Sequence, residues 1–249
     1  MNSSSIEQLL MRRGAWLKGI KGDEAGAKQR ESLSRMISDD YMRFENLRDL
    51  MFNLATAVTR EERDVIFEHP EMGRLLNQME RVGLIHEGHS GGVDVETKAR
   101  RYLSGGWLEE LVWLAALEAG ADEAVFGQVV GWEVKGYTGE NEIDLIMRHD
   151  DKLAFVSCKA LRSELDIHDK KLRNRLMDAV HEADNLCDHF GQHGEKVAVV
   201  VTTDLFDELK NLPRYQALMG KAAVLDVRVI ALEELVWSKL VDAMRELLT

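Results

Sequence analysis

The chain has 249 residues, of which 45% are hydrophobic and 31% charged, and its formal net charge is −12. This balance is typical of a globular protein, and no apolar run approaches the ~20 residues that a membrane span needs. The N-terminus lacks the apolar stretch of a signal peptide, and the two cysteines, Cys158 and Cys187, are too few for a disulfide framework. These features exclude secreted, fibrous and membrane classes, and we expect a cytoplasmic protein.

The charge is concentrated in the second part of the chain. Residues 1–104 carry a net charge of −1, and residues 105–249 carry −11. A protein that coats duplex DNA electrostatically needs clustered Lys and Arg, so the overall charge argues against that role. Contact with nucleic acid is therefore expected from a local basic patch, or through carboxylates that hold metal ions.

The first 70 residues show the apolar spacing of several helices. Thr59 and Glu62 have the spacing of a capping box for a helix that runs through Phe67, and another helix is predicted over 71–82. The prediction of helices in the first 70 residues is based on two apolar stripes. The first consists of Ile6, Leu9, Leu10, Trp16 and Leu17, and the second of Tyr41, Phe44, Leu47, Leu50, Met51 and Leu54.

A small hairpin is predicted after the helix over 71–82. Two short apolar pieces, 84–85 and 93–95, flank a glycine-rich turn at 88–92, and a helix followed by a hairpin indicates a winged helix. The turn also fits the G-x-S-x-G pattern of a serine-hydrolase elbow. That elbow requires a helix directly after the motif, whereas a strand-like segment follows here, so we interpret it as a wing turn.

From Gly105 the pattern changes to alternating helices and strands. A helix over 105–120 is followed by strands over 126–134, 141–148 and 152–160, a helix over 171–190 and a buried strand over 196–203. A helix over 205–219, a short strand and a final helix over 231–247 complete the chain. This α-β-β-β-α-β order predicts an α/β fold, with a mixed sheet flanked by helices. We predict two regions, a helical and winged-helix-like region over 1–104 and an α/β domain over 105–249.

The second and third strands of this domain carry the residues of greatest chemical interest. Alternation along a strand places Glu142 with Asp144 on one face, and Ser157 with Lys159 on the same face of the next strand. The opposite, apolar face is predicted to hold Ile143, Leu145, Phe155 and Cys158. Carboxylates beside a lysine suit phosphodiester cleavage, since carboxylates hold Mg²⁺ or Mn²⁺ and a lysine can stabilise negative charge. The alternative is an ordinary cross-strand Asp–Lys pair without function.

Blocks of sequence around these residues resemble a known nuclease family. The blocks are ARRYLSGGWLEE over 99–110, NEID over 141–144 and SCK over 157–159, continued by Asp178-Ala179, by Asp184 with Leu186, and by the strand over 196–203. Over about 74–235 the chain resembles the PD-(D/E)xK nuclease part of CRISPR-associated CARF nucleases. The resemblance implies a restriction-endonuclease-like core and a metal-dependent endonuclease of DNA or RNA in antiviral defence.

The resemblance also implies roles for particular residues. Asp144 becomes the central metal ligand and Lys159 the catalytic lysine, while either Glu109 or Glu110 completes the ligand set from its helix. The backbone carbonyl of Cys158 is a further metal contact in this fold. The implied cofactor is Mg²⁺ or Mn²⁺.

Two departures from the family pattern stand out. Ser157 occupies the position of the second acid, so either Glu142 substitutes for it or activity is weakened. Such nucleases usually carry an N-terminal Rossmann-like sensor for cyclic oligoadenylate, but residues 1–104 show no βαβ pattern. We therefore expect a relative without the sensor, or a fragment, and do not predict activation by cyclic oligoadenylate.

Two functions remain open at this point. The first is the nuclease, and the second is an inactive nuclease fold that binds nucleic acid or protein, with the winged helix contacting DNA or mediating a homodimer. A basic run near the site could bind the phosphate backbone, or could be a solvated helix start; it consists of Lys170, Lys171, Arg173 and Arg175. The chain has no HExxH or CxxC motif, so zinc is not expected.

Overall fold

The structure is a computed structural model, which describes residues 4–20, 22–53, 59, 61, 66, 69–87 and 93–249. The N-terminal part contains α1 (Ile6–Met11), β1 (Ala15–Ile20), α2 (Glu24–Asp39), α3 (Tyr41–Asn53) and α4 (Pro70–Arg81). A hairpin of β2 (Ile85–Glu87) and β3 (Val93–Val95) follows, then α5 (Thr97–Arg101) and one π-helical turn (Tyr102–Gly106).

The remaining elements form the α/β part. They are α6 (Trp107–Glu118), β4 (Glu123–Val134), β5 (Tyr137–His149), β6 (Lys152–Lys159), α7 (Lys170–Phe190), β7 (Lys196–Val201), β8 (Phe206–Asp207), β9 (Leu212–Pro213), α8 (Gln216–Val224), β10 (Val227–Ile230), a 3₁₀ turn (Leu232–Glu234) and α9 (Trp237–Leu247). The predicted α-β-β-β-α-β order is confirmed. It corresponds to α6, β4, β5, β6, α7 and β7.

Six strands form one mixed sheet in the order β1-β4-β5-β6-β7-β10. The pairs from β1 to β6 are antiparallel, whereas β6, β7 and β10 run parallel. The change of direction at β6 requires a crossover, which α7 provides between β6 and β7. The carboxyl end of β6 and the middle of β5 therefore meet beside α7.

Helices cover both faces of this sheet. Helices α2 and α9 pack against α6 on one face, while α7 packs against β6 and β7 on the other. Each face has its own apolar core, so both sets of alternating side chains on β5 and β6 are buried. The predicted single apolar face is thus wrong: Leu145 and Cys158 pack with the α6 core, whereas Ile143 and Phe155 pack with the α7 core.

Three predicted helical segments differ in the structure. Trp16 and Leu17 lie in β1, because that segment completes the sheet beside β4 rather than extending α1. Within 205–219 the chain forms the β8–β9 hairpin, and α8 begins at Gln216, after Pro213. The final helix begins at Trp237, since the 3₁₀ turn Leu232–Glu234 comes first.

The predicted N-terminal region contacts the sheet directly. Its strand β1 pairs with β4, and its helix α2 packs against α6. Helix α4 and the β2–β3 hairpin have the outline expected of a winged helix, which stays a prediction, as does the division at residue 104. The turn over 88–92 lies outside the described residues, as does the predicted helix from Thr59 through Phe67 apart from residues 59, 61 and 66. Among the helices that the structure describes, none is long and apolar enough to cross a membrane.

Candidate active site

Asp144 lies where the pairing of β4 with β5 is interrupted. Phe126 pairs with Leu145 and Gln128 with Ile143, and the register passes over Gly127, which has a φ of +57°, and Asp144. Such an irregularity in the pairing of two strands can redirect a side chain. The interruption explains why Ile143 and Leu145 belong to different cores.

The carboxylate of Asp144 is tied to the next strand. One of its oxygens, Oδ2, accepts a hydrogen bond from the backbone N–H of Cys158 at 2.6 Å, and Ser157 Oγ donates to the same oxygen at 3.3 Å. Burial raises the pKa of Asp144, and the Cys158 N–H and the Lys159 charge counteract only part of that effect. Asp144 is therefore a partly buried carboxyl whose burial outweighs the nearby charge of Lys159.

Lys159, at the end of β6, points into the same cavity as Asp144. Its Nζ lies 2.7 Å from Glu182 Oε2, and Glu182 belongs to α7. Burial lowers the pKa of Lys159, but the bond to Glu182 and the charge of Asp144 raise it more, so the net shift is upward. Glu182 therefore helps to keep this ammonium charged and fixes its direction.

These residues line an open cavity of about 440 Å³ between β5, β6 and α7. Its floor is Ser157, a buried hydroxyl where the family pattern has an acid. The lining consists of Asn141, Glu142, Asp144, Ser157, Lys159, Glu182, Asn185 and Leu186. A polar, open cavity of this kind suits a charged substrate better than an apolar ligand.

Glu109 approaches these carboxylates from the first turn of α6. Burial raises its pKa to about 7, and the charges of Asp144 and Glu142 contribute to the rise. The π-helical turn before α6 sets this position, and a Cβ on its last residue, Gly106, would lie 3.2 Å from the Arg101 carbonyl oxygen. The glycines of the predicted motif thus allow a tight turn that brings Glu109 to the sheet.

Arg101 lies between two of the acids. Its Nη2 is 3.8 Å from Glu109 Oε2 and 3.8 Å from Glu142 Oε1, and its side chain is 58% exposed. Both distances exceed those of a hydrogen bond. The guanidinium is therefore a loosely held counter-charge at the mouth of the site.

Glu110 has a different role from its neighbour Glu109. Its carboxylate accepts two hydrogen bonds from Arg30 of α2, at 2.7 Å from Nη2 and 3.1 Å from Nε, and the side chain is buried. A bidentate buried pair of this kind holds two helices together. Of the two predicted candidates, Glu109 lies near Asp144, whereas Glu110 is paired with Arg30 between α2 and α6.

Cys158 and the basic run were also predicted as site residues, and the structure places their side chains outside the cavity. The side chain of Cys158 packs with the α6 core, and its backbone N–H, not its thiol, faces Asp144. The basic run occupies the first turns of α7, which Asp169 caps by accepting from two backbone N–H groups. The four basic residues are not among those that line the cavity: Lys170, Lys171, Arg173 and Arg175. Arg175, the last of them, precedes Glu182 by about 10 Å along the helix axis.

The donor set at this edge fits a hard divalent cation. Asp144 and Glu109 are partly buried carboxyls whose negative charges repel each other, and Arg101 supplies a stand-in positive charge. Mg²⁺ is often held by one or two carboxylates together with water and substrate phosphates. Among the residues that the structure describes, no group of three or more His, Cys, Asp or Glu side chains is arranged as a metal cluster. The fit to a cation thus depends on two carboxylates, those of Asp144 and Glu109.

Sequence reasoning missed three residues here: Arg101, Glu182 and Asn185. Arg101 belongs to the motif block that carries the resemblance, so its position was available as a signal. Glu182 and Asn185 share one face of α7 by helical spacing, but nothing in the sequence shows that this face is opposite Lys159. That contact depends on how α7 crosses the sheet.

Comparisons with solved structures agree with this fold. The chain resembles protein VC1899 from Vibrio cholerae, at 16% identity and a TM-score of 0.70, with 99% of this chain and 62% of that one covered. It also resembles Can2 from Sulfobacillus thermosulfidooxidans, solved with cyclic tetra-adenylate, at 15% identity and a TM-score of 0.61, covering 97% and 61%. The chain thus spans about three fifths of these neighbours. No curated protein sequence matches it.

The mixed six-stranded sheet with helices on both faces is a restriction-endonuclease-like fold. Residues 96–194 match the family model described as Card1-like, endonuclease domain. The matched segment runs from Glu96, just before α5, to Gly194, after α7, and so contains Arg101, Glu109, Asp144, Lys159 and Glu182. The resemblance predicted from the sequence is confirmed: residues 96–194 are similar to the Card1-like endonuclease domain, and the fold of the chain is similar to that of Can2.

Proposed function

We propose that this chain is a metal-dependent endonuclease that cleaves phosphodiester bonds of DNA or RNA in CRISPR-linked antiviral defence. The observation that carries the proposal is the proximity of Glu109 to Asp144 beside Lys159: burial, and after it the charge of Asp144, raises the pKa of Glu109 to about 7. Burying like charges together is costly unless a cation or a proton joins them. The Card1-like endonuclease match over 96–194 supports the same reading.

Each residue then has a defined task. Asp144 and Glu109 would hold Mg²⁺ or Mn²⁺ with the Cys158 carbonyl, and Glu142 would supply the acid that Ser157 lacks. When bound, the cation would supply positive charge at the scissile phosphate and lower the pKa of a water molecule. Lys159 directs its ammonium into the cavity, where it can stabilise the negative charge that develops on the phosphate. The basic run on α7 would bind flanking phosphates.

A set of substitutions tests this proposal. Asp144→Asn and Lys159→Ala should abolish metal-dependent cleavage of plasmid and labelled oligonucleotides. Glu142→Gln should lower cleavage at least tenfold, about 1.4 kcal/mol of transition-state stabilisation, and raise the metal concentration required. Ser157→Glu restores the usual acid and should increase activity or relax a preference for Mn²⁺ over Mg²⁺. Glu110→Gln is the control for a loss of stability: it disturbs the pair with Arg30 but leaves Glu109 and Asp144 unchanged.

A second candidate function is a binding module without cleavage. It is favoured by Ser157 at the acid position and by the lack of a three-residue metal cluster among the described residues. Tight nucleic-acid binding without cleavage in Mg²⁺ or Mn²⁺ supports this candidate, particularly when Glu142→Gln and Ser157→Glu change nothing. EDTA-sensitive nicking by the wild-type protein argues against it.

A further inference from the structure

Two neighbouring glutamates are paired with arginines in contrasting ways. Arg30 binds Glu110 through two hydrogen bonds, and both side chains are largely buried. Arg101 lies 3.8 Å from Glu109 and from Glu142 without hydrogen-bond contact to either, and more than half of it is exposed. The Arg30–Glu110 pair is a buried, hydrogen-bonded ion pair, whereas Arg101 is loosely associated with Glu109 and Glu142.

We propose that Arg101 is an exchangeable counter-ion of the site: its guanidinium lies between Glu109 and Glu142, competes there with a divalent cation, and binds a substrate phosphate when the cation takes that place. This inference rests on the proposed nuclease function and adds a residue to it. Arg101 is both a competitor of the cation and a contact for the nucleic acid.

The position of Arg101 suits both parts of this role. An exposed ion pair contributes little, so a divalent cation that binds the carboxylates directly can displace the guanidinium. Arg101 is the last residue of α5, directly before the π-helical turn, so the released side chain stays at the rim of the cavity. A guanidinium offers a planar fork of N–H donors that matches phosphate oxygens. Local positive charge at this point is also needed in a chain whose net charge is −12.

The first test measures cation binding without nucleic acid. Mn²⁺ is titrated into wild-type protein, Arg101→Ala and Arg100→Ala by calorimetry; Arg100 is the matched control, an exposed arginine one position earlier. Arg101→Ala should bind Mn²⁺ at least threefold more tightly, because its competing charge is gone, and Arg100→Ala should match the wild type. A residue with a merely structural role would weaken Mn²⁺ binding or leave it unchanged, and either result overturns the proposal. Coincident urea unfolding curves exclude a folding defect.

The second test measures nucleic-acid binding in saturating Ca²⁺. Labelled DNA and RNA oligonucleotides should bind Arg101→Ala at least fivefold more weakly than the wild type, with the slope of log affinity against log salt reduced by about one. Arg101→Lys should retain competition with Mn²⁺ but recover only part of the phosphate binding, since it lacks the fork. Unchanged oligonucleotide affinity in Arg101→Ala overturns the proposal. A wild-type protein that binds no oligonucleotide contradicts the proposed nuclease function, and the Mn²⁺ titration still decides whether Arg101 competes with cations.

Discussion

At the scale of single residues, the site depends on how a few carboxylates share their charge. Glu109 is the most affected, because it is largely buried and faces the charges of Asp144 and Glu142. Glu110, one position along the same helix, is paired with Arg30, and its charge contributes less to the raised pKa of Glu109 than those of Asp144 and Glu142 do. Two adjacent glutamates therefore acquire different chemistry from their partners alone.

The raised pKa of Glu109 predicts a pH-dependent stability. Its pKa of about 7 in the folded protein lies above the ordinary value of 4.5, so the folded state favours the protonated carboxyl. This contribution to the free energy of unfolding is fully present below pH 4.5 and is lost as the pH rises through about 7. Urea unfolding of metal-free protein across this range should show wild type losing stability relative to Glu109→Gln.

The control for this measurement is Glu118→Gln, at the exposed end of the same helix. It should follow the wild-type curve at every pH. Parallel curves for wild type and Glu109→Gln would contradict the prediction. Because a cation must displace the proton, calorimetry near pH 7 should also detect proton release when Mn²⁺ binds the wild type, and less in Glu109→Gln.

At the scale of elements, α7 carries two separate groups of polar residues. Its first turn presents the basic run, and its middle presents Glu182 and Asn185 to the cavity. The helix is amphipathic, and its buried side, which includes Leu176, Ala179, Val180 and Ala183, packs on the sheet. One apolar face thus orients the polar residues that face the cavity.

The basic run is predicted to bind the phosphate backbone of the substrate. Replacing Lys170, Lys171, Arg173 and Arg175 with Gln should weaken nucleic-acid binding and flatten its dependence on salt, since fewer counterions are released. Metal affinity should remain unchanged. A control with Lys239→Gln and Arg245→Gln removes positive charge from α9, which packs on the opposite face of the sheet. An unaltered salt slope in the first variant would show that these charges do not meet phosphates.

Glu182 is predicted to position Lys159. Glu182→Ala removes the acceptor 2.7 Å from Lys159 Nζ and should lower turnover about tenfold, with KM and the metal requirement unchanged. Glu182→Gln keeps an acceptor oxygen and should recover part of the loss. Asp178→Ala, one turn earlier on the same exposed face, is the control. If the metal requirement rises instead, Glu182 helps to bind the cation and the positioning role is wrong.

At the scale of the whole molecule, the N-terminal segment is built into the nuclease sheet. Strand β1 forms the edge beside β4, and α1, α2 and α3 contribute side chains to the two cores. A buried ion pair joins the segment to the loop after α7: Arg13 binds Glu195 through two contacts of 2.7 Å and also donates to the Phe190 carbonyl at 2.7 Å. The segment therefore supports the wall that carries Glu182.

Removing this ion pair should destabilise the whole protein. Both side chains are less than a tenth exposed, so Arg13→Ala leaves a buried carboxylate without its partner, at a cost of about 3–5 kcal/mol in the free energy of unfolding. Lys18→Ala, which breaks the exposed pair with Glu140, should cost about 0.5 kcal/mol or less. Urea unfolding measures both variants. Equal effects would mean that Arg13 contributes no more than a surface charge.

Much of the fold could be predicted from local patterns. Apolar alternation and turn residues predicted three strands within 126–160 and the tight turn over 149–151, and the structure has β4, β5 and β6 there. Such patterns succeed because strand periodicity depends on neighbours along the chain. The same patterns failed at Trp16 and Leu17, where the apolar spacing fits a helix but the open edge of β4 selects a strand. They also failed to show that both faces of β5 and β6 are buried, since burial depends on helices far away in sequence.

The sequence by itself determined which residue types are available at the site: Asp144 and Lys159 on neighbouring strands, a serine at the position of an acid, and two adjacent glutamates. Tertiary structure alone decided their roles. Arg30, 80 residues away in sequence, removes Glu110 from the site, while α7 brings Glu182 to Lys159. Spacing along the chain determines which way a side chain points within one helix or strand. Charge pairing depends on the distances between elements, and those are set only when the two cores pack.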